Sequence, residues 1–276
     1  MARGWAGGRL RRGAAVVLTG LRAVPGFAFA TARLFGLQSA WSYERMLGIG
    51  VAHAMEPLLR PLRDVDGGVR YRDALVREAQ FFNAHPYVTS IAIGAAARAE
   101  LDGEAPERIE RLRQALCGPL GALGDRLMWA GWLPACSAIG LILVACGAGG
   151  WGVAAFLVLY NVVHVVLRVW GLRAGWRAGM RVAAALAHPV LHRALEVVGP
   201  VAALAVGCAL PMVLVWATHG AGLHLPWWLT WRHLVAAGVG AGAFAFLAAR
   251  LGTRLTGLRL ATVVLAVAAV GGMLWR

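Results

Sequence analysis

Gln38, Trp41 and Glu44 fall at i, i+3 and i+6 of the stretch LQSAWSYERMLGIG, Leu37–Gly50. On a helix this spacing puts an amide, an aromatic plane and a carboxylate on broadly one side. A hydroxyl-rich ligand needs those three groups: a ring to stack on, and planar polar groups to exchange hydrogen bonds with. The same trio also reads as a helix surface with Glu44 solvated beside Arg45. Asn83 and His85 precede Pro86 in FFNAHPYVTSIAIG, Phe81–Gly94. Asn in such a turn serves as a cap or as a ligand, Pro86 as a rigid structural stop, and His85 as a group that titrates near neutrality. In GPLGALGDRLMW, Gly118–Trp129, the glycines Gly118, Gly121 and Gly124 form a side-chain-free ridge that allows close backbone approach or a tight re-entrant turn. Asp125 is the last acidic residue before a long apolar run, a costly position unless the carboxylate is paired, caps a helix or has a function. The plain reading of this block is a helix–loop–helix corner with Asp125 as N-cap. Asn161, in the pair Tyr160–Asn161, is an amide within an apolar segment, suited to bonding between helices or to a permeation path.

Other chemistries find no support. The chain has no phosphate-binding glycine loop, no G-x-S-x-G and no credible pair of acid/base carboxylates, so no catalytic residue is expected. His53, His164, His188, His192, His219, His224 and His233 lack metal-ligand patterns, and Pro189 separates His188 from His192. No metal and no cofactor are expected. Cys117, Cys136, Cys146 and Cys208 form no Cys-x-x-Cys pair and read as reduced thiols.

The elements that must position these groups are helical. Ala32–Leu62 reads as one helix, with Leu34, Leu37, Trp41 and Met46 apolar and Pro57 and Pro61 as breaks. Asp64–Gly68 reads as a loop, Tyr71–Asn83 as a second helix ended before Pro86, and Tyr87–Glu100 as a short apolar segment. Glu107–Cys117 is a charged helix leading into the glycine block. From Gly131 on, about five apolar segments follow: Leu133–Cys146, Trp151–Val169, Val197–Ala217, His233–Ala249 and Leu258–Leu274. The expected organisation is a basic arm over 1–30, a half with polar motifs and re-entrant or interfacial helices over 31–130, and transmembrane helices over 131–276.

Composition agrees with a membrane setting. Hydrophobic residues make up 59% of the 276, only 14% are charged, and mean hydropathy is +0.65. The net charge of +14 comes from arginines spread along apolar segments, without a nucleic-acid motif, so an anionic-lipid face is a better partner than nucleic acid. Residues 168–193 hold five arginines and read as a loop; Thr218–Trp231 holds none of its own before Trp231 but carries Trp227, Trp228 and Trp231; the next loop has Arg250, Arg254 and Arg259. The positive-inside rule then puts these loops inside, outside and inside, with the C-terminus outside. The fold expected is an all-α polytopic integral membrane protein.

In order and spacing, four blocks resemble the IID subunit of the mannose/fructose/sorbose family of the phosphoenolpyruvate-dependent sugar phosphotransferase system (PTS). They are Leu37–Gly50 (Q-x-x-W-x-x-E-R-M), Phe81–Gly94 (F-F-N-x-x-P), Gly118–Trp129 (G-P-x-x-x-x-G-D) and YNVVHVVLRVWGLRAGWRAG, Tyr160–Gly179. The resemblance spans roughly Arg33 to Arg181. It implies a multi-pass subunit of the bacterial inner (cytoplasmic) membrane that pairs with a IIC membrane subunit to form a hexose path. Cytoplasmic IIA and IIB components, supplied by the phosphocarrier HPr, would phosphorylate the sugar, and the assembly would be an oligomer of IIC–IID pairs. It implies that Gln38, Trp41, Glu44, Asn83 and Asp125 face the sugar, and that phosphorylated histidines belong to the A and B components rather than to His85. Two departures stand out: Arg126 follows Gly124–Asp125 where the family commonly has Pro, and Glu100 is followed by Leu101 where many members carry a second Glu. A degenerate or regulatory membrane scaffold that docks a partner without moving sugar is the alternative.

Overall fold

A computed structural model of the chain describes residues 24–186 and 189–220. Among these residues there are helices and turns but no strand; two isolated bridges, Ser42 with Met46 and Met46 with Phe82, are the only extended pairings. The expected segments His233–Ala249 and Leu258–Leu274, the tryptophans at 227, 228 and 231, and most of the arm over 1–30 lie outside the described residues. Nine helices are numbered here: α1 Phe27–Arg33, α2 Gly48–Leu59, α3 Val69–Glu78, α4 Thr89–Asp102, α5 Pro106–Gly124, α6 Leu133–Leu143, α7 Gly150–Ala178, α8 Val182–Leu186 and α9 Pro189–Gly220. Of the described residues, those up to Leu120 together with Arg168–Ala185 form one compact unit. Those of Gly121–Leu167 together with those from Leu186 onward form a second.

The first unit is built around α4. Its sequence TSIAIGAAARAELD is mostly small residues, and Ile91, Ile93, Ala95, Ala97 and Ala99 are all buried. Small side chains let another backbone come close on this helix, as in membrane helix pairs. The end of α7 does so: a Cβ on Gly175 would lie 1.9 Å from the Ile91 carbonyl oxygen. Helix α2 packs on α1, α3 and α4 through Val51, Met55, Leu58 and Leu59, all buried.

The expected single helix over Ala32–Leu62 is instead two helices, α1 and α2, with a short 3-10 turn, Leu34–Gly36, and an irregular stretch between them. Hydrophobic spacing suggested continuity, but Met46 adopts φ +49, in the left-handed region, which no L-residue sustains within a helix. Leu47 N–H then donates to the Phe82 carbonyl at 2.9 Å, a bond formed far along the chain.

A second correction concerns the glycine block. No loop forms at Gly118–Gly124. Helix α5 runs through Pro119, widens into a π-helical stretch, Asp125–Trp132, and continues as α6. Together with the short turn Val144–Ala148 they make up one helical stretch, Pro106–Ala148, of 43 residues. Pro134 explains the widening: without an N–H it cannot bond the Ala130 carbonyl, and its ring crowds that oxygen. Asp125 makes no capping bond. The helical conformation ends where Gly147 and Gly149 take φ +89 and +53, a reversal that glycine makes at no steric cost.

The arginine-rich segment over 168–193 is also not a loop. Helix α7 continues to Ala178, a 3-10 turn at Gly179–Arg181 follows, then α8, and α9 begins at Pro189. Arginine and alanine are good helix formers, and Gly179, with φ +51, is where the helix breaks. Among the described residues, three helical stretches are long and apolar enough to cross a membrane: Pro106–Ala148, Gly150–Arg181 and Arg193–Leu210. In the second unit α9 packs along α6 and the π-helical stretch, where Val198 meets Gly131.

Candidate functional site

The stretch between α1 and α2 is an exposed turn with buried anchors. Leu34, Leu37 and Leu47 are buried and fix its ends. Between them the backbone closes on itself: Trp41 N–H donates to the Gln38 carbonyl at 3.3 Å, and Met46 N–H to Ser42 at 2.7 Å. Phe82, 1% exposed, anchors the second motif, and its N–H donates to the Arg45 carbonyl at 3.3 Å. The first two sequence blocks, distant along the chain, are therefore stitched together by reciprocal backbone bonds. Gly48 permits this closeness, since a Cβ there would lie 2.1 Å from the Gln80 carbonyl oxygen.

What the turn presents is polar and aromatic. Gln38, Glu44 and Asn83 are exposed, and Trp41 is 49% exposed. Tyr43, 81% exposed, stands edge-on to Trp41 with ring centroids 5.1 Å apart. The trio is not on a helix, so helical spacing does not set how the three side chains lie. Glu44 makes no ion pair with any described residue. Tyr43 was missed because residues two apart in a helix point in different directions; only the turn puts the two rings together.

Behind the turn, Pro86 and His85 are buried. His85 Nδ1 accepts from the Tyr87 N–H at 3.3 Å, and its carbonyl accepts from Thr89 Oγ1 at 2.9 Å. The Arg168 guanidinium lies 4.9 Å from the Tyr87 ring centre and 5.3 Å from that of Phe35, and it donates to the Leu34 carbonyl. Arg168, 3% exposed, thus ties α7 to both motif-bearing segments. Nothing in its spacing separates it from the other arginines of that stretch.

Two charge clusters support the unit. Arg113 reaches from α5 to the carbonyls of Arg77, Glu78 and Gln80 at 2.7, 2.9 and 3.3 Å and forms an ion pair with Glu78 at 2.9 Å. It therefore holds the end of α3 just before the Phe81–Asn83 motif. Arg77 grips both oxygens of Glu100 at 2.8 and 3.0 Å, which gives the lone glutamate of that segment a structural partner. Burial pushes the fully buried Glu78 up to about 7; Arg113 and Arg77 pull it down and Glu100 pushes it further up. The second cluster centres on Glu56. Burial there opposes ionisation, but hydrogen bonds from Arg60, Tyr71 and Arg33 outweigh it and hold the carboxyl at about 2.

Asp125 and Asn161 belong to the second unit. Asp125 is exposed at the start of the π-helical stretch. Asn161 is exposed on α7, where its Nδ2 donates to the Leu157 carbonyl of its own helix at 2.8 Å. Gly118 is exposed, and a Cβ there would meet nothing within 4 Å. Among the described residues no three of His, Cys, Asp and Glu are grouped to hold a metal.

Among the described residues, helices long and apolar enough to cross a membrane and a paired turn displaying amides, rings and the Glu44 carboxylate define an all-α architecture suited to a membrane. A family model, that of the PTS system mannose/fructose/sorbose family IID component, matches residues 27–218, so the chain belongs to the IID component family. Similar proteins include the PTS system mannose-specific EIID component of Escherichia coli strain K12, 28% identical over 176 residues, covering 61% of this chain and 60% of that protein. The fructose permease IID component of Bacillus subtilis strain 168 is 28% identical over 58% of this chain and 59% of its own length. The PTS system sorbose-specific EIID component of Klebsiella pneumoniae is 29% identical, again over 58% and 59%. The chain thus spans about three fifths of these relatives' length. Among solved structures, a chain of the mannose transporter ManYZ in complex with microcin E492 superposes with a TM-score of 0.52 at 22% identity, covering 73% of this chain and 71% of that one. A second membrane protein gives a TM-score of 0.58 at 19% identity, over 90% and 96%. These two likenesses establish the fold.

Proposed function

We propose that this chain is a membrane subunit of a PTS sugar permease. With a IIC partner it forms the path for a hexose of the mannose, fructose or sorbose class, and separate IIA and IIB components phosphorylate the sugar on entry. The observation that carries this reading is the IID family match over residues 27–218, which takes in nearly every described residue. Named relatives act on mannose, fructose and sorbose, which motivates the hexose class. The chain makes no covalent bond to sugar or phosphate; it contributes a surface and a path.

On this reading the turn supplies the sugar contacts. Trp41 offers an apolar plane to a sugar face, Gln38 and Glu44 take hydroxyl hydrogens, and Asn83 adds an amide from the paired motif. The exposure of all four, and the absence of an ion pair at Glu44 among the described residues, support it. Asp125 is a further hydroxyl acceptor on the path. Pro86 sets the rigid turn behind Asn83, while Gly118, Gly121, Gly124 and Asn161 serve packing against a partner subunit. The organisation proposed is a basic arm over 1–30, a half with polar motifs and re-entrant or interfacial helices over 31–130, and transmembrane helices over 131–276. The subunit lies in the cytoplasmic membrane, N-terminus inside and C-terminus outside, in an oligomer of IIC–IID pairs.

Co-expression with the IIC gene of the same cluster tests the assembly. An affinity tag on this chain is expected to recover the IIC subunit from detergent extract in a fixed ratio. Recovery of this chain alone, with IIC present in the same membranes, would contradict the reading.

A further inference from the structure

The sugar reading leaves one cleft of the first unit unused. It measures about 790 Å³ and is lined by Arg33, Arg45, Arg60 and Arg63, with Glu56 among them. Four guanidiniums against one carboxylate leave a charge of +3 when His53 is neutral. Glu56 takes hydrogen bonds from Arg33 Nη1 at 2.7 Å, Arg60 Nε at 3.1 Å, Arg63 Nη2 at 2.6 Å and Tyr71 Oη at 3.0 Å. One carboxylate so surrounded does not neutralise three arginines; it holds three long side chains in place, facing one another. Such pre-positioned forks lower the ordering cost of binding an anion. Among the described residues several donors remain without a bond: Arg33 bonds through Nη1, Arg63 through Nη2, and the side chain of Arg45 makes a single long bond, to the Ala79 carbonyl at 3.4 Å.

The rest of the cleft decides what kind of anion fits. Its walls are Ile49, Ala52, Leu75, Val76 and Ala79, and Val76 is 63% exposed. At the rim the Arg60 guanidinium lies 6.0 Å from the ring centre of Phe29, which is 65% exposed on a short apolar helix. A soluble sugar phosphate would bring hydroxyls to these apolar walls without partners. A phospholipid brings a phosphate for the arginines and hydrocarbon for Phe29, Ile49 and Val76, the pairing seen where basic amphipathic surfaces meet anionic membranes. We propose that this cleft binds the phosphate of an anionic phospholipid through Arg33, Arg45, Arg60 and Arg63, with the acyl side against Phe29 and Val76. The site adjoins the sugar-facing turn through Arg45, whose side chain lines the cleft, and does not depend on the transport reading.

Native mass spectrometry of the full chain in neutral detergent tests it, with phosphatidylglycerol and phosphatidylcholine as the two probes. Retention of phosphatidylglycerol over phosphatidylcholine is expected. Arg45→Gln should weaken that retention about fivefold, the effect of one arginine near an anionic surface. Arg45 carries only one long side-chain bond, so the variant should fold, and an unchanged thermal midpoint checks this. Arg72→Gln, an exposed arginine of α3 outside the cleft, should leave retention unchanged. Phe29→Ala should weaken phosphatidylglycerol retention while preserving the fold. Equal retention of both lipids, equal loss in Arg45→Gln and Arg72→Gln, or full displacement of the lipid by millimolar inorganic phosphate or glucose 6-phosphate would overturn the proposal.

Discussion

Glu44 is the residue on which the sugar path is most exposed to test. Replacing it by Gln keeps the shape and an acceptor but removes the charge. If Glu44 accepts sugar hydroxyls, the change should cost on the order of 1–2 kcal/mol, about tenfold in apparent affinity for uptake, with assembly intact. Asn83→Ala should behave alike, since the two segments are bonded together. Unchanged uptake kinetics in an active complex would take Glu44 off the path. The supporting carboxylates respond to pH in opposite directions. Glu56 sits at about 2 in the folded chain against an ordinary 4.5, so its contribution is complete above about 4.5 and lost as pH falls through about 2. Glu56→Gln should therefore lower the thermal midpoint at pH 7, and the deficit should shrink toward pH 2. Glu78 is raised to about 7, so the folded state holds an extra proton between about 4.5 and 7, and stability from this group falls as pH rises through that window. Glu78→Gln, fixed in the neutral form, should gain on the natural chain between pH 5 and 7.5. A constant difference across that range would contradict the assignment. The polar residues of both motifs were legible as chemistry from type alone. Arg113, Arg168, Glu56 and Glu78 were not, because only tertiary contact separates a buried arginine from the many that are solvated.

At the scale of elements, the contact of α4 with the end of α7 carries the first unit. Gly175 faces the Ile91 carbonyl with no room for a side chain, and Gly94 meets the Leu172 carbonyl, where a Cβ would lie 2.2 Å away. Gly175→Leu must push the two helices apart and lose the dense packing around Ile91 and Ile93. The expected result is a chain that is made but poorly extracted as a stable species, with limited proteolysis cutting near α4. A chain as stable as the natural one would mean that the helices pack differently. Helices could be anticipated over Tyr71–Asn83, Glu107–Cys117 and Trp151–Val169, and helices stand there over Val69–Glu78, Pro106–Gly124 and Gly150–Ala178, the last two running further than expected. The turn at 37–47 could not, because Met46 leaves the helical region to meet Phe82, a contact invisible to local pattern. The arginines at 168–193 suggested a loop because charge was read as a boundary, whereas long aliphatic stems let arginine continue a helix. The three glycines at 118–124 suggested a corner. No residue there stops a helix already running, and Pro119 removes only one bond.

For the molecule as a whole, the family was legible because four short blocks kept their order and spacing, and the match over 27–218 confirms it. The membrane character was legible from composition, and three described helices are long and apolar enough to cross. The most direct measurement of the central claim is sugar uptake in cells that lack their own mannose-family permeases. One strain carries the complete set of IIA, IIB, IIC and this chain; the other lacks only this chain. The account predicts phosphoenolpyruvate-dependent accumulation of sugar phosphate in the first strain, its loss in the second, and its return when the chain is supplied from a plasmid. Equal accumulation in the two strains, with the other three components produced at equal levels, would contradict it.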